Sequence, residues 1–157
     1  MNLSDIICCD AIVSQLTSTD RNGAIEELIT SLHKKKKLGK LDPAALTKAV
    51  IKRESEASTG IGKGVAVPHV KLPDIPNLVA VVGCSSTGID FSSLDKQPVF
   101  TIFLLISPAS NPDKHLQAME TIFKNLQKDD FRRFLRQAQT VQDIIEAIKD
   151  ADEDSSE

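Results

Sequence analysis

The chain has 157 residues, of which 41% are hydrophobic and 26% charged, and its formal net charge is -3. These values are typical of one globular domain with a buried core, and the length is too short for two ordinary domains. The acidic balance argues against a nucleic-acid partner, which selects a basic surface. No apolar run reaches the roughly 20 residues of a transmembrane helix, so we expect no direct membrane insertion.

The N-terminal half of the sequence predicts two helices after one short strand. Residues 11–16, AIVSQL, are apolar enough for a strand, and Asp20 then caps a helix that we expect to end near Gly39. A second helix is capped by Asp42, starts at a proline and runs to about Glu54. Arg53 therefore lies near its C-terminal end.

The rest of the chain predicts strands followed by helices. Strands are expected at 65–67, 78–84 and 99–106, and the last two are so apolar that both faces must be covered. A helix with His115 in its first turn follows, then two more at 131–137 and 141–150. Strands mixed with helices predict an α/β fold, a three-layer sandwich in which helices flank both faces of a mixed sheet.

The segment STGIGKGVAVPHVK, residues 58–71, has three alternate glycines that lead to a proline and a histidine. A Rossmann fingerprint would follow a strand and open a helix, whereas these glycines lead into a strand, and a P-loop would have Ser or Thr where Gly64 stands. Both nucleotide-binding interpretations fail. What remains is a loop whose backbone N–H groups can approach an anion, next to His69 held by Pro68.

The longer stretch RESEASTGIGKGVAVPH, residues 53–69, resembles the signature of the type 2 EIIA domains of the bacterial phosphoenolpyruvate-dependent phosphotransferase system. The resemblance extends through LSDII near the start, FLLISP and DKHLQAM, and it covers roughly residues 3–148 as one EIIA domain. Residues 149–157 are then expected to be an acidic disordered tail.

The resemblance implies that His69 accepts a phosphoryl group from the small phosphocarrier HPr, or its nitrogen-branch counterpart, and passes it on. It places His115 and Arg53 beside that histidine, where a guanidinium and a second imidazole suit a dianionic group. Thr59 and the backbone of Gly60, Gly62 and Gly64 are expected to supply further phosphate contacts. The expected chemistry needs no cofactor and no metal.

Each of these residues also has a structural interpretation. His69 alone is compatible with a structural histidine at a strand end, His115 with solvation of a helix N-terminus, and Arg53 with a cation favoured at a helix C-terminus. A zinc site at the two histidines lacks obvious third and fourth ligands. Val70 departs from the family, which usually has a small residue after the histidine, and it raises the question of bulk beside the nucleophile.

Two functions of different classes remain open. The first is a cytoplasmic phosphocarrier enzyme that donates to a sugar-specific EIIB, and the second is a regulatory module whose phosphorylation state selects its target protein. The sequence contains no segment resembling EIIB, EIIC or HPr, which favours the nitrogen-regulatory branch of the family. A fructose/mannitol-type EIIA of a sugar uptake system and a module that binds partners without phosphorylation remain as alternatives.

Overall fold

The computed structural model describes residues 1–155. Its helices are α1 (Leu3–Ile6), α2 (Arg21–Lys34), α3 (Pro43–Glu56), α4 (Pro112–Leu126), α5 (Asp129–Gln137) and α6 (Val141–Ser155), with one 3-10 turn at Cys9–Ala11. Its strands are β1 (Gly60–Gly62), β2 (Val65–Ala66), β3 (His69–Leu72), β4 (Val79–Ile89) and β5 (Val99–Pro108). Within this part of the chain, no helix is long and apolar enough to cross a membrane.

The sheet is built around β5, which pairs on both of its edges. β4 lies antiparallel to it on one side, while β2 and β3 lie parallel to it, one after the other, on the other side. β2 pairs with the start of β5 and β3 with its end, so the short break at 67–68 interrupts what is otherwise one edge of the sheet. The mixed sheet predicted from the sequence is confirmed.

Side chains of the central strands alternate between two cores, which makes the fold a three-layer sandwich. On one face, Val82, Phe103 and Leu105 pack with the helices α1, α4, α5 and α6. On the other face, residues such as Leu104 pack with α2 and α3. The segments 79–84 and 99–106 are covered on both sides and contain one polar residue, Thr101, as predicted for these strands. β4 continues beyond the predicted end to Ile89, through the exposed Ser86 and Thr87.

The predicted strand at 11–16 is wrong. The segment forms only an isolated bridge between Val13 and Gly83, and a bend at 14–15 separates this bridge from the next hydrogen bond, in which Leu16 N–H donates to Cys84 O. The chain thus runs beside the edge of β4 without the continuous ladder that defines a strand.

The helix after Asp20 ends earlier than Gly39. α2 stops at Lys34, and Lys36 takes the left-handed conformation with φ of 57°. The N–H groups of Lys36 and Lys37 donate to the carbonyls of His33 and Leu32, which is the Schellman pattern of helix termination. This sharp turn directs Leu38 into the core.

The acidic C-terminal segment is ordered as far as it is described, so the disordered tail expected from residue 149 is wrong for 149–155. Helix α6 continues to Ser155, and residues 156–157 lie outside the described part. The buried carboxylate of Asp152 accepts hydrogen bonds from the N–H groups of Leu3 (2.7 Å) and Ser4 (3.1 Å). This acidic residue therefore caps the N-terminus of α1, where the helix dipole favours a negative charge.

Replacement of Asp152 by Asn tests this cap. An amide oxygen replaces only one of the two acceptors, so we expect Asp152→Asn to lower the free energy of unfolding by about 1–3 kcal/mol. Urea denaturation measures the change, with the exposed neighbour in Asp154→Asn as the matched control. Equal urea midpoints for the two variants would contradict the capping role.

Candidate functional site

His69 opens β3 at the break in the sheet edge and does not close a strand as expected from the sequence. Its Nδ1 lies 2.8 Å from the carbonyl oxygen of Val67. A carbonyl oxygen only accepts hydrogen bonds, so Nδ1 carries the proton of this bond. In the neutral imidazole the lone pair is therefore on Nε2, the atom that can act as a nucleophile.

Arg53 reaches Nε2 of His69 from α3, in the layer of helices formed by α2 and α3. It lies in the last turn of α3, and its Nη2 is 3.5 Å from His69 Nε2. Its Nη1 donates to the carbonyl oxygen of Ala57 at 3.2 Å, just beyond the helix. The helix end thus holds the guanidinium with one side towards its own C-terminus and the other towards the histidine.

His115 approaches from the α4 side. Asn111 caps this helix by accepting from Lys114 N–H at 3.2 Å, and the His115 ring lies with its centroid 5.8 Å from that of His69, at an interplanar angle of 46°. Its Nδ1 is 2.6 Å from Ser107 Oγ. Burial, then the neighbouring His69 and Lys71, lower the pKa of His115, which favours the neutral ring.

Thr59 and Gly60 follow the end of α3, and their hydrogen-bond donors are already used within the protein. The N–H and hydroxyl of Thr59 donate to the buried carboxylate of Glu54 at 2.9 and 2.7 Å. Gly60 N–H donates to Ser58 Oγ at 3.0 Å. In the unphosphorylated protein these donors hold the segment that follows α3, and the phosphate contacts of the two residues stay a prediction.

Gly62 and Gly64 lie away from the histidine, at the turn of the β1–β2 hairpin, with φ of 95° and 79°. Gly64 O accepts from Thr101 N–H, whereas His69 pairs with Leu105 of the same strand. Thr101 and Leu105 are four residues apart along β5, a distance of about 13 Å. Gly64 is therefore too far from His69 to contact a phosphoryl group on its ring. The predicted glycine loop is thus mostly a hairpin.

Val70 does not crowd the ring of His69. It follows His69 within β3, so its side chain points to the other face of the sheet, where it packs against the core beneath α2 and α3. The bulk that the sequence placed beside the histidine is therefore separated from it by the strand itself.

The sequence analysis missed two buried polar neighbours of the candidate site, Glu54 and Ser107. Glu54 follows Leu46 and Val50 at four-residue intervals, so a carboxylate on the apolar face of α3 was a signal of a buried, hydrogen-bonded group. Ser107 ends the apolar run of β5 and is wholly buried. Its contact with His115 depends on how α4 packs on the sheet, and a local sequence pattern does not predict this packing.

The chain is similar to proteins named as phosphotransferase-system EIIA components and as nitrogen regulatory proteins. The chain is 32% identical over 97% of its length to the fructose-specific EIIABC component of Bacillus subtilis, of which it spans 24%. It is 34% identical to the nitrogen regulatory protein of Klebsiella oxytoca, covering 96% of this chain and 92% of that protein.

Two solved structures share the fold. The nitrogen regulatory protein IIA-Ntr of Neisseria meningitidis has a TM-score of 0.84 at 21% identity, over 93% of this chain and 98% of that chain. Enzyme IIA mannitol of Escherichia coli, solved in complex with phosphorylated enzyme IIB mannitol, has a TM-score of 0.77 at 16% identity, over 92% and 99% of the two chains. The family model of EIIA 2 of the phosphoenolpyruvate-dependent sugar phosphotransferase system matches residues 5–151, and the chain belongs to this family.

Proposed function

We propose that this protein is a phosphocarrier in which Nε2 of His69 accepts a phosphoryl group from an HPr-like donor and passes it to a protein acceptor. The observation that carries the proposal is the hydrogen bond from His69 Nδ1 to Val67 O, which leaves Nε2 as the free nucleophile facing Arg53. Membership of the EIIA family supports this role.

The transfer follows from the geometry of the three side chains. The lone pair of Nε2 forms the bond to phosphorus while the N–P bond of the donor's phosphohistidine breaks and its electron pair returns to the donor nitrogen. No general base is needed, because Nδ1 and not Nε2 holds the proton of His69. The guanidinium of Arg53 and an N–H of His115 stabilise the charge on the phosphoryl oxygens, which is the main requirement of phosphoryl transfer.

The acceptor defines the biological output. The enzyme IIA mannitol of Escherichia coli was solved with its enzyme IIB, and by analogy an EIIB domain is one acceptor class for this chain. The relatives also include nitrogen regulatory proteins, which favours a second candidate in which phosphorylated and unphosphorylated His69 select different target proteins in the cytoplasm. A phosphoryl group adds a charge of about -1.5 to -2, enough to change which surface docks there.

The structure gives no support to the alternative of a module that binds partners without phosphorylation. Its support in the sequence was Val70, and the side chain of Val70 lies on the face of β3 away from the nucleophile. The acceptor imidazole, the guanidinium and the second imidazole are together at one place.

His69→Ala tests the acceptor directly. After incubation with phosphoenolpyruvate, Enzyme I and HPr, we expect the wild-type protein to gain the mass of one phosphoryl group, labile to acid and stable to alkali, and the variant to gain none. His33→Ala, an exposed histidine of α2, is the matched control and should behave as wild type. No mass gain in the wild type, with a donor active on another EIIA, would overturn the proposal.

Arg53→Gln tests the guanidinium. Loss of one charged donor at the developing phosphoryl charge should slow phosphoryl acceptance about 10²-fold. Rapid-quench measurement of the initial rate gives this value, and Lys52→Gln, which removes a neighbouring exposed cation from the same helix, is the control for net charge. Equal rates for the two variants would show that Arg53 acts only at its helix end.

Thr59→Val separates a structural from a phosphate-binding role. The change leaves one oxygen of buried Glu54 without its partner, so we expect the free energy of unfolding to fall by about 1–3 kcal/mol. Phosphoryl acceptance at a temperature where the variant is folded should stay within a few-fold of wild type. Thr87→Val, exposed on β4, is the control. Unchanged stability with a rate loss like that of Arg53→Gln would reverse the assignment.

A further inference from the structure

Ser107 lies behind the second histidine, and the family resemblance discussed above assigns it no role. It is at the end of β5, wholly buried, with its Oγ 2.6 Å from Nδ1 of His115. In the register of the sheet it is opposite Lys71, two residues beyond His69. The hydroxyl thus lies between the sheet and the ring that flanks the nucleophile.

The direction of this hydrogen bond follows from the need to satisfy a buried hydroxyl. Within residues 1–155, the Oγ of Ser107 makes one hydrogen bond, the one with His115. If Nδ1 of His115 donated, the hydroxyl proton would be buried without an acceptor, at a cost of about 1–3 kcal/mol. If the hydroxyl donates to the Nδ1 lone pair, the proton is satisfied and the bond is equally short.

We propose that Ser107 is a positioning residue that holds His115 as the tautomer with the proton on Nε2. The two histidines then have opposite tautomers, because the carbonyl of Val67 keeps the proton of His69 on Nδ1. His69 presents a lone pair from its Nε2, and His115 has an N–H donor on its own Nε2.

The consequence for the chemistry rests on the proposed function. A ring whose centroid lies 5.8 Å from that of His69 stabilises a phosphoryl group only if it donates a hydrogen bond. A lone pair on Nε2 of His115 would face the negative oxygens of the phosphoryl group and oppose their binding. By fixing the proton on the far nitrogen, Ser107 makes a neutral His115 a donor without adding a charge.

The first experiment observes the tautomer itself and needs no phosphoryl donor. Long-range ¹H–¹⁵N correlation spectra of the unphosphorylated full chain at neutral pH should show His115 protonated on Nε2. In Ser107→Ala we expect a mixture of tautomers, and in Ser110→Ala, an exposed serine of the next loop, the wild-type pattern. Protonation on Nδ1 in the wild type, or an unchanged Nε2–H tautomer in Ser107→Ala, would overturn the proposal.

The second experiment measures the effect on transfer. Ser107→Ala should slow phosphoryl acceptance about five- to tenfold, the factor expected for loss of one ordinary hydrogen bond. Ser107→Thr keeps the hydroxyl and should restore most of the rate if urea denaturation shows a folded protein. In a His115→Ala background the change at Ser107 should have no further effect, because the serine acts through that ring.

The two failures are distinguishable. A wild-type protein that accepts no phosphoryl group but shows the Nε2–H tautomer contradicts the proposed function and leaves the role of Ser107 in the ring intact. An equal rate loss from Ser107→Ala with and without His115 would mean a general packing effect, and it would reject the positioning role.

Discussion

The hydrogen bond between His69 Nδ1 and the carbonyl oxygen of Val67 is the constraint on which the site depends. A neutral imidazole can carry its proton on either ring nitrogen, and this bond keeps the proton of His69 on Nδ1. Nε2 is then the only ring nitrogen with a free lone pair. The bond is possible because the chain breaks at 67–68, between β2 and β3, and the backbone there is free to turn a carbonyl towards the next side chain. Pro68 has no N–H and fixes its own φ, so it contributes to the break.

The three-layer architecture explains how two partners meet one histidine. Arg53 comes from the helix layer on one face of the sheet and His115 from the layer on the other, and both approach the edge at β3. Within the described residues no strand pairs with the outer side of β3. For the proposed acceptor role of His69, such an edge leaves room for a partner protein, whereas the central strand β5 is paired on both of its edges.

Much of the fold could be predicted because its signals are local. The caps Asp20 and Asp42 start their helices as the sequence indicates, and the two long apolar runs form β4 and β5. The failures depend on distant contacts. The conformation of segment 11–16 depends on its contacts with the edge of β4. The acidic composition of 149–155 suggested disorder, but one of its carboxylates, that of Asp152, caps α1. Likewise, the family signature predicted that His69, Arg53 and His115 lie together. The contacts of Glu54 and Ser107 depend on tertiary packing and were not predicted.

The glycine-rich segment gains a different role from the one its composition suggests. Its hairpin places Val67 N–H against Thr59 O at 3.1 Å, and Thr59 is in turn bound to Glu54, the residue that follows Arg53. A continuous chain of contacts thus runs from the guanidinium's helix through the hairpin to the carbonyl that orients His69. Glycines are needed at the turn because the backbone there has positive φ, and this turn brings β1 back onto β2. The segment fixes His69 and Arg53 relative to each other, and alignment of this kind is what the proposed phosphoryl transfer requires.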